Sequence, residues 1–179
     1  MSINQEQRIG VFVDVQNLYY SAKNLYNAKV NFTQLLRTAV RGRKLVRAIA
    51  YVIKAYIKEE KNFHDALDKI GYEVKWKDLQ TFPGGAKKGD WDIGIAVDTI
   101  ELANKLDTIV LVSGDGDFVP LVEHLKRAMG CRVEVIAFGP SSSGKLREAT
   151  DEFIDMDRDK RKFLIKYSTP ESSEKEKHL

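Results

Sequence analysis

Short, almost unbroken apolar runs alternate along this chain with longer stretches in which apolar residues return every three or four positions. Ile9 to Val13, Leu45 to Ile53, Thr108 to Val112 and Arg132 to Phe138 are the runs. They are rich in β-branched residues and predict strands buried on both faces, as the middle of a parallel sheet requires. Tyr72 to Trp76 alternates apolar and polar residues and predicts a further strand.

Between the runs, helices are predicted over Asn17 to Asn27, over Phe32 to Val40 before Gly42, and over Lys58 to Ile70 before Gly71. Trp91 to Leu106 places Ile93, Val97, Ile100 and Ala103 on one stripe, expected to face the core. Phe118, Leu121, Val122, Leu125 and Met129 form another helical face that ends at Gly130. Leu146 to Ile154 holds a short helix and one short strand. Thr81 to Gly89, with a proline, three glycines and two adjacent lysines, predicts an exposed, mobile loop. Strands alternating with helices of this length give an α/β fold with a mostly parallel central sheet flanked by helices.

The chain of 179 residues fits one domain over residues 1–157. Residues 158–179 form a polar, charged tail whose first part either packs or makes a basic arm. Its last ten or so residues are expected to be disordered. The hydrophobic fraction of 43% suffices for a core without staples, and the formal charge of +3 permits a polyanionic partner without demanding one. The single cysteine, Cys131, lies in an apolar run and reads as a buried structural thiol. No Cys/His zinc set exists, no signal peptide is visible and no apolar stretch is long enough to span a bilayer. A cytoplasmic protein with no membrane partner is expected; a homodimer is compatible with all of this.

The chemistry gathers where strands end. In an open parallel sheet ligands bind beyond the C-terminal strand ends. The first run ends in Asp14, followed by Asn17, and the fourth continues as Ser113-Gly114-Asp115-Gly116-Asp117. Asp90 and Asp92 open the helix that leads into that strand. Singly, each acid can be a helix cap or turn residue at about even odds. Together they would repel one another, and no lysine lies inside either strand-end motif to compensate. A hard divalent cation, Mg2+ or Mn2+, is the natural partner. Asp98, six residues beyond Asp92 on the predicted helix, falls well off its face.

Three segments carry a family resemblance: VFVDVQNLYY, KKGDWDIGIAVD and VLVSGDGDFVPLV, in that order, with LREATDEFIDM closing the match. Over Arg8 to Met156 the chain resembles the NYN domain family, and within it the LabA-like bacterial group related to PIN nucleases. The resemblance implies a Rossmann-like PIN fold and a metal-dependent ribonuclease that hydrolyses phosphodiester bonds of single-stranded RNA. Asp14, Asp92, Asp115 and Asp117 would be catalytic and metal-binding. The family often places one residue between its Lys-Gly pair and the aspartate, whereas here Asp90 and Trp91 both precede Asp92, which leaves Asp90 as the alternative ligand. Asn17 and Ser113 would orient water or a phosphate oxygen. Lys87 and Lys88 would contact the RNA backbone, with Trp91 or Phe82 as a stacking face. The run Arg37, Arg41, Arg43, Lys44 and Arg47 offers an extension of that basic path. His64 and His124 read as surface residues.

Other readings are weaker. A phosphatase of the haloacid dehalogenase type needs a second acid two residues after the nucleophile, where this chain has Gln16. A dinucleotide-binding protein needs G-x-G-x-x-G after the first strand, which is absent. A catalytically weak or inactive RNA- or protein-binding regulatory module on the same fold is the main alternative.

Overall fold

The computed structural model describes residues 3–54 and 60–166. In chain order the elements are β1 (Arg8–Asp14), α1 (Val15–Tyr26), β2 (Ala28–Val30), α2 (Phe32–Val40), β3 (Lys44–Ile53), α3 (Glu60–Ile70), β4 (Glu73–Lys77), β5 (Gln80–Thr81), β6 (Lys87–Lys88) and α4 (Asp92–Ala103). They continue as β7 (Thr108–Val112), α5 (Val119–Arg127), β8 (Arg132–Ala137), α6 (Gly144–Ala149), β9 (Glu152–Asp155), α7 (Lys160–Phe163) and β10 (Leu164–Lys166).

Six strands form one sheet in the order β4-β3-β1-β7-β8-β9, every neighbouring pair parallel. The α/β class with a parallel central sheet flanked by helices is as the runs predicted. Its central strands β1 and β7 are almost wholly apolar because both faces are covered. Ile9, Val11 and Val13 of β1 pack with Leu18 of α1, Leu35 of α2, Leu67 of α3 and Phe163 of α7 on one side. Phe12 joins Ile95 of α4, Leu121 and Val122 of α5 and Leu146 of α6 on the other. From β1 the chain builds outward through β3 and β4, then returns to β7 on the other side. The order of strands therefore reverses between β1 and β7, the place where such sheets open a crevice.

Four features depart from the sequence pattern. On α4 the buried residues are Ile95, Thr99, Leu102 and Ala103. The stripe expected in the core is instead at the surface for three of its members, with Ile93 78%, Val97 47% and Ile100 37% exposed. Apolar residues occupy both sides of this helix, so periodicity alone selects no face. Second, the segment expected as a loop is partly a small antiparallel ribbon of β5 and β6. Gly84 and Gly85 turn it with φ of +94° and +85°, which side chains with a Cβ rarely adopt.

Third, β2 and β10, for which the pattern gave no signal, pair antiparallel at the margin. With them the front of the tail packs: Phe163 is 3% exposed. Residues 167–179, including those expected to be disordered, lie outside the described residues, as does the start of the helix predicted from Lys58.

Fourth, the basic run does not form a path to the strand-end acids. Arg43 grips Glu134 with two bonds of 2.9 and 2.8 Å, both side chains 1% exposed. Arg41 reaches Glu134 and Glu152, Arg47 pairs with Glu73, and Lys44 with Glu6. These pairs cluster toward the edge where the strands begin, away from the crevice. Burial of the Arg43 guanidinium and the Glu134 carboxylate is tolerated because each charge is matched and hydrogen-bonded.

Candidate metal centre

Asp14 ends β1 and caps α1: its Oδ1 accepts from the Asn17 amide at 3.2 Å. That bond begins the helix at Val15, two residues before the pattern placed it. The other carboxylate oxygen, Oδ2, accepts from the Ser113 hydroxyl at 3.1 Å. Ser113 Oγ in turn accepts from the Asp115 amide at 3.2 Å. The Gly114 amide donates to Asn17 Oδ1 at 2.9 Å. The turn after β7 is thus tied to the start of α1 by two side chains, Ser113 and Asn17.

Asp115 opens a short 3-10 turn, Gly116–Phe118, and its Oδ1 accepts from the Asp117 amide at 2.9 Å. For Asp14 and Asp115, capping and participation in a site are compatible, because one carboxylate oxygen fixes the side chain in place. Gly114 is needed for a close approach rather than an unusual φ. A Cβ there would lie 2.8 Å from Ser142 Oγ and 3.1 Å from Ser142 Cα. The segment after β8 therefore presses directly on the acid-bearing turn, and Ser143 N–H donates to Gly114 O at 2.9 Å.

Asp92 is the first residue of α4, where the positive end of the helix dipole favours an acid. It comes together with Asp115 and Asp117: one carboxylate oxygen from each lies within 4.8 Å of the others. Asp14 is not in that triad but lines the same cleft, with Asp90, Asp92, Asp115 and Gly89. Asp14 is 7% exposed. Burial pushes its carboxyl up to about 6, the negative charges of Asp92 and Asp115 adding to the effect, while the Asn17 and Ser113 hydrogen bonds oppose it.

This donor set fits a small divalent cation. Oxygen ligands at about 2.0–2.6 Å from an ion stand up to about 4–5 Å apart across it, the spacing seen here. Elsewhere acids are matched by cations: Asp107 by Arg8, Asp151 by Lys126 and Asp98 by Lys75. Among the described residues no lysine or arginine pairs with Asp14, Asp115 or Asp117.

Other candidates fall outside the triad. Asp98 accepts from Tyr51 Oη at 2.6 Å and Lys75 Nζ at 2.7 Å. Asp90 lines the cleft, and its carbonyl accepts from Lys77 Nζ at 2.9 Å. Trp91 is not a free stacking face. Its Nε1 donates to Val52 O at 3.0 Å, its ring lies 5.3 Å from that of Tyr51, and Lys77 Nζ sits 5.1 Å from its centroid. Phe82 is 46% exposed but lies on the ribbon, outside the cleft lining. The contacts expected of Lys87 and Lys88 fall on side chains outside the described part of the structure. His64 stacks on Trp76, and neither it nor His124 lines the cleft. Cys131 is buried, as its surroundings in the sequence implied. What sequence reasoning missed is the part of the cleft lining formed by Gln16, Tyr20, Ser21, Asn24 and Leu25 of α1. The signal available was the helical spacing of these residues after Asp14.

Among the described residues no helix is long and apolar enough to cross a membrane. The crystal structure of a protein of unknown function from Vibrio parahaemolyticus superposes with a TM-score of 0.82 and 34% identity, covering 92% of this chain and all of that one (100%). The Low amplitude and bright protein LabA of Synechococcus elongatus is 30% identical in an alignment that covers 92% of this chain and 91% of LabA. The NYN domain model matches residues 8–157, which contain β1, the acid-bearing turn and β9. With its acids at the sheet's crevice and these matches over nearly its whole length, the chain belongs to the NYN domain family, in its LabA-like group.

Proposed function

We propose that this protein is a metal-dependent endoribonuclease that hydrolyses phosphodiester bonds of single-stranded RNA. The observation that carries the reading is the convergence of Asp92, Asp115 and Asp117 within 4.8 Å at the point where strand order reverses. Asp14 stands buried behind them. The choice of RNA follows from membership of the NYN family, whose members are related to RNA.

Asp92, Asp115 and Asp117 would hold Mg2+ or Mn2+, and Asp14 would contribute the charge of a fourth carboxylate from the cleft wall. A bound ion supplies neutralisation of a phosphodiester's negative charge and acidity toward a water molecule at neutral pH. The protein's own contribution is placement. Ser113 and Asn17 fix the turn that carries Asp115 and Asp117 against the end of β1. The Asp14 carboxylate stays within a polar network where its two oxygens keep defined partners. The Ser141–Ser143 segment closes the space beneath the turn. Such fixed geometry is what allows a static acid set to act on a phosphate brought into line.

The test is hydrolysis of a mixed single-stranded RNA in Mn2+, comparing the wild type with Asp115→Asn. Cleavage by the wild type that falls at least a hundredfold in the variant is expected. RNA binding without metal-dependent cleavage by either protein would instead establish a binding module on this fold.

A further inference from the structure

The acids line one part of the cleft; α1 lines another, and its chemistry is different. Gln16, Asn17, Tyr20, Ser21, Asn24 and Leu25 line it, and none of these side chains carries charge. Gln16, Tyr20 and Asn24 recur at intervals of four. That spacing sets them in one row along the helix, each about 6 Å beyond the last. Lys23, the basic residue within this stretch, is engaged elsewhere, its ammonium 5.6 Å from the centroid of the Tyr19 ring.

Tyr20 is 38% exposed in a concave surface, and its ring is set by an edge-on contact with Tyr19 at 5.5 Å and 73°. Leu25 adds alkyl surface that is 42% exposed. Ser141, from the turn after β8, donates to Ser21 at 2.8 Å and also lines the cleft.

Uncharged side chains can hydrogen-bond a phosphate but bring no positive charge to offset it. An aromatic face with alkyl surface and two carboxamides, each both donor and acceptor, suits a nucleobase. The acid wall suits the opposite end of a nucleotide, its phosphate, held across a cation. The cleft, of about 470 Å³, lies in the range that small ligands fill.

Resting on the ribonuclease reading above, we propose that the α1 wall is a nucleobase subsite. Tyr20 stacks on a base next to the scissile phosphate, and Gln16 and Asn24 meet the edges of the bases on either side. The subsite requires bases turned out from their strand, so it selects unpaired RNA against a duplex, whose bases are stacked and paired inward.

The test uses the full chain with Mn2+ and a labelled single-stranded RNA, comparing wild type, Tyr20→Ala and Tyr20→Phe. Stacking of one base is worth about 1–3 kcal/mol, so Tyr20→Ala is expected to raise KM between about 5- and 150-fold. The change falls on KM rather than kcat, and Tyr20→Phe, which keeps the ring, restores most of it. Mn2+ affinity, read by paramagnetic resonance, is the same in all three and reports that the acid wall is intact. Replacing the flanking bases with abasic ribose removes the difference between wild type and Tyr20→Ala. Cleavage by Tyr20→Ala with the wild-type KM overturns the subsite and leaves the nuclease reading standing. If the wild type cleaves nothing, that reading fails, and anisotropy with the same RNA decides the subsite separately. Binding weakened only by Tyr20→Ala supports it; binding indifferent to Tyr20, or absent, overturns it.

Discussion

Asn17 and Gly114 lie 97 residues apart in sequence and are joined by a single bond, the Gly114 amide donating to Asn17 Oδ1 at 2.9 Å. Because the Asn17 amide also donates to the capping Asp14 Oδ1, one residue couples the end of β1 to the turn after β7. Asn17→Ala leaves the Gly114 amide without its partner, a loss of about 1–3 kcal/mol for a partly buried donor. The expected outcome is about tenfold weaker Mn2+ binding in a titration by calorimetry, with the fold retained. Unchanged affinity would mean that the Ser113 bond to Asp14 alone holds the two segments in register.

Asp14 gives a dependence on pH of unusual sign. Its carboxyl is held up to about 6 in the folded protein against an ordinary 3.8, so the native state keeps a proton that the unfolded chain has released. The associated stability is fully present below about pH 4, is lost as pH rises through 6, and stays lost above. At 1.36 kcal/mol for each tenfold change in proton affinity the loss is about 2–3 kcal/mol. Asp14→Asn keeps an acceptor for the Asn17 amide and carries no charge. In chelator it is expected to match the wild type near pH 4 and to exceed it by about 2–3 kcal/mol at pH 8 in urea unfolding. Equal stability of the two proteins at pH 8 counts against the buried, charge-crowded carboxylate.

At the other edge of the sheet, Arg43 and Glu134 are both 1% exposed and bound twice to each other. Arg43 also donates to Ala39 O at 2.7 Å. Arg43→Met removes one charge from a buried pair and leaves Glu134 with only Arg41 and Arg132. A cost of about 3–5 kcal/mol is expected, visible as a drop in the urea midpoint. A cost below about 1 kcal/mol would mean that Arg41 and Arg132 suffice for the carboxylate.

The two sides of α4 should answer mutation very differently. Ile95 is fully buried among Phe12, Leu111 and Phe118, whereas Ile93 is 78% exposed. Ile95→Ala is expected to cost about 2–5 kcal/mol and Ile93→Ala to stay within about 0.5 kcal/mol. Equal costs in thermal or urea unfolding would place Ile93 in the core, as the sequence pattern first implied.

That contrast shows where the sequence was legible and where it was not. Strands such as Thr108–Val112 were plain because burial on both faces leaves only apolar residues. The parallel arrangement followed from their alternation with helices, and the acids' common edge followed from Asp14 and Asp115 standing where strands stop. Helix α4 was illegible because Ile93, Ile95, Val97, Ile100 and Leu102 circle it, and only the neighbours decide which are covered. Arg41 and Arg43 looked like a solvent-facing basic run because their partners, Glu134 and Glu152, are about ninety or more residues away in sequence. The α1 wall escaped notice because uncharged residues announce no chemistry until a cleft is seen beside them.

Trp91 has an optical consequence. Its indole is pinned to Val52 O and lies under the Lys77 ammonium, in the residue directly before Asp92. The only other tryptophan is Trp76, stacked with His64 on β4. A Trp76→Phe protein therefore carries a single indole, one peptide unit from the acid triad. Its emission maximum and quenching provide a built-in gauge of what enters the cleft, without any attached label.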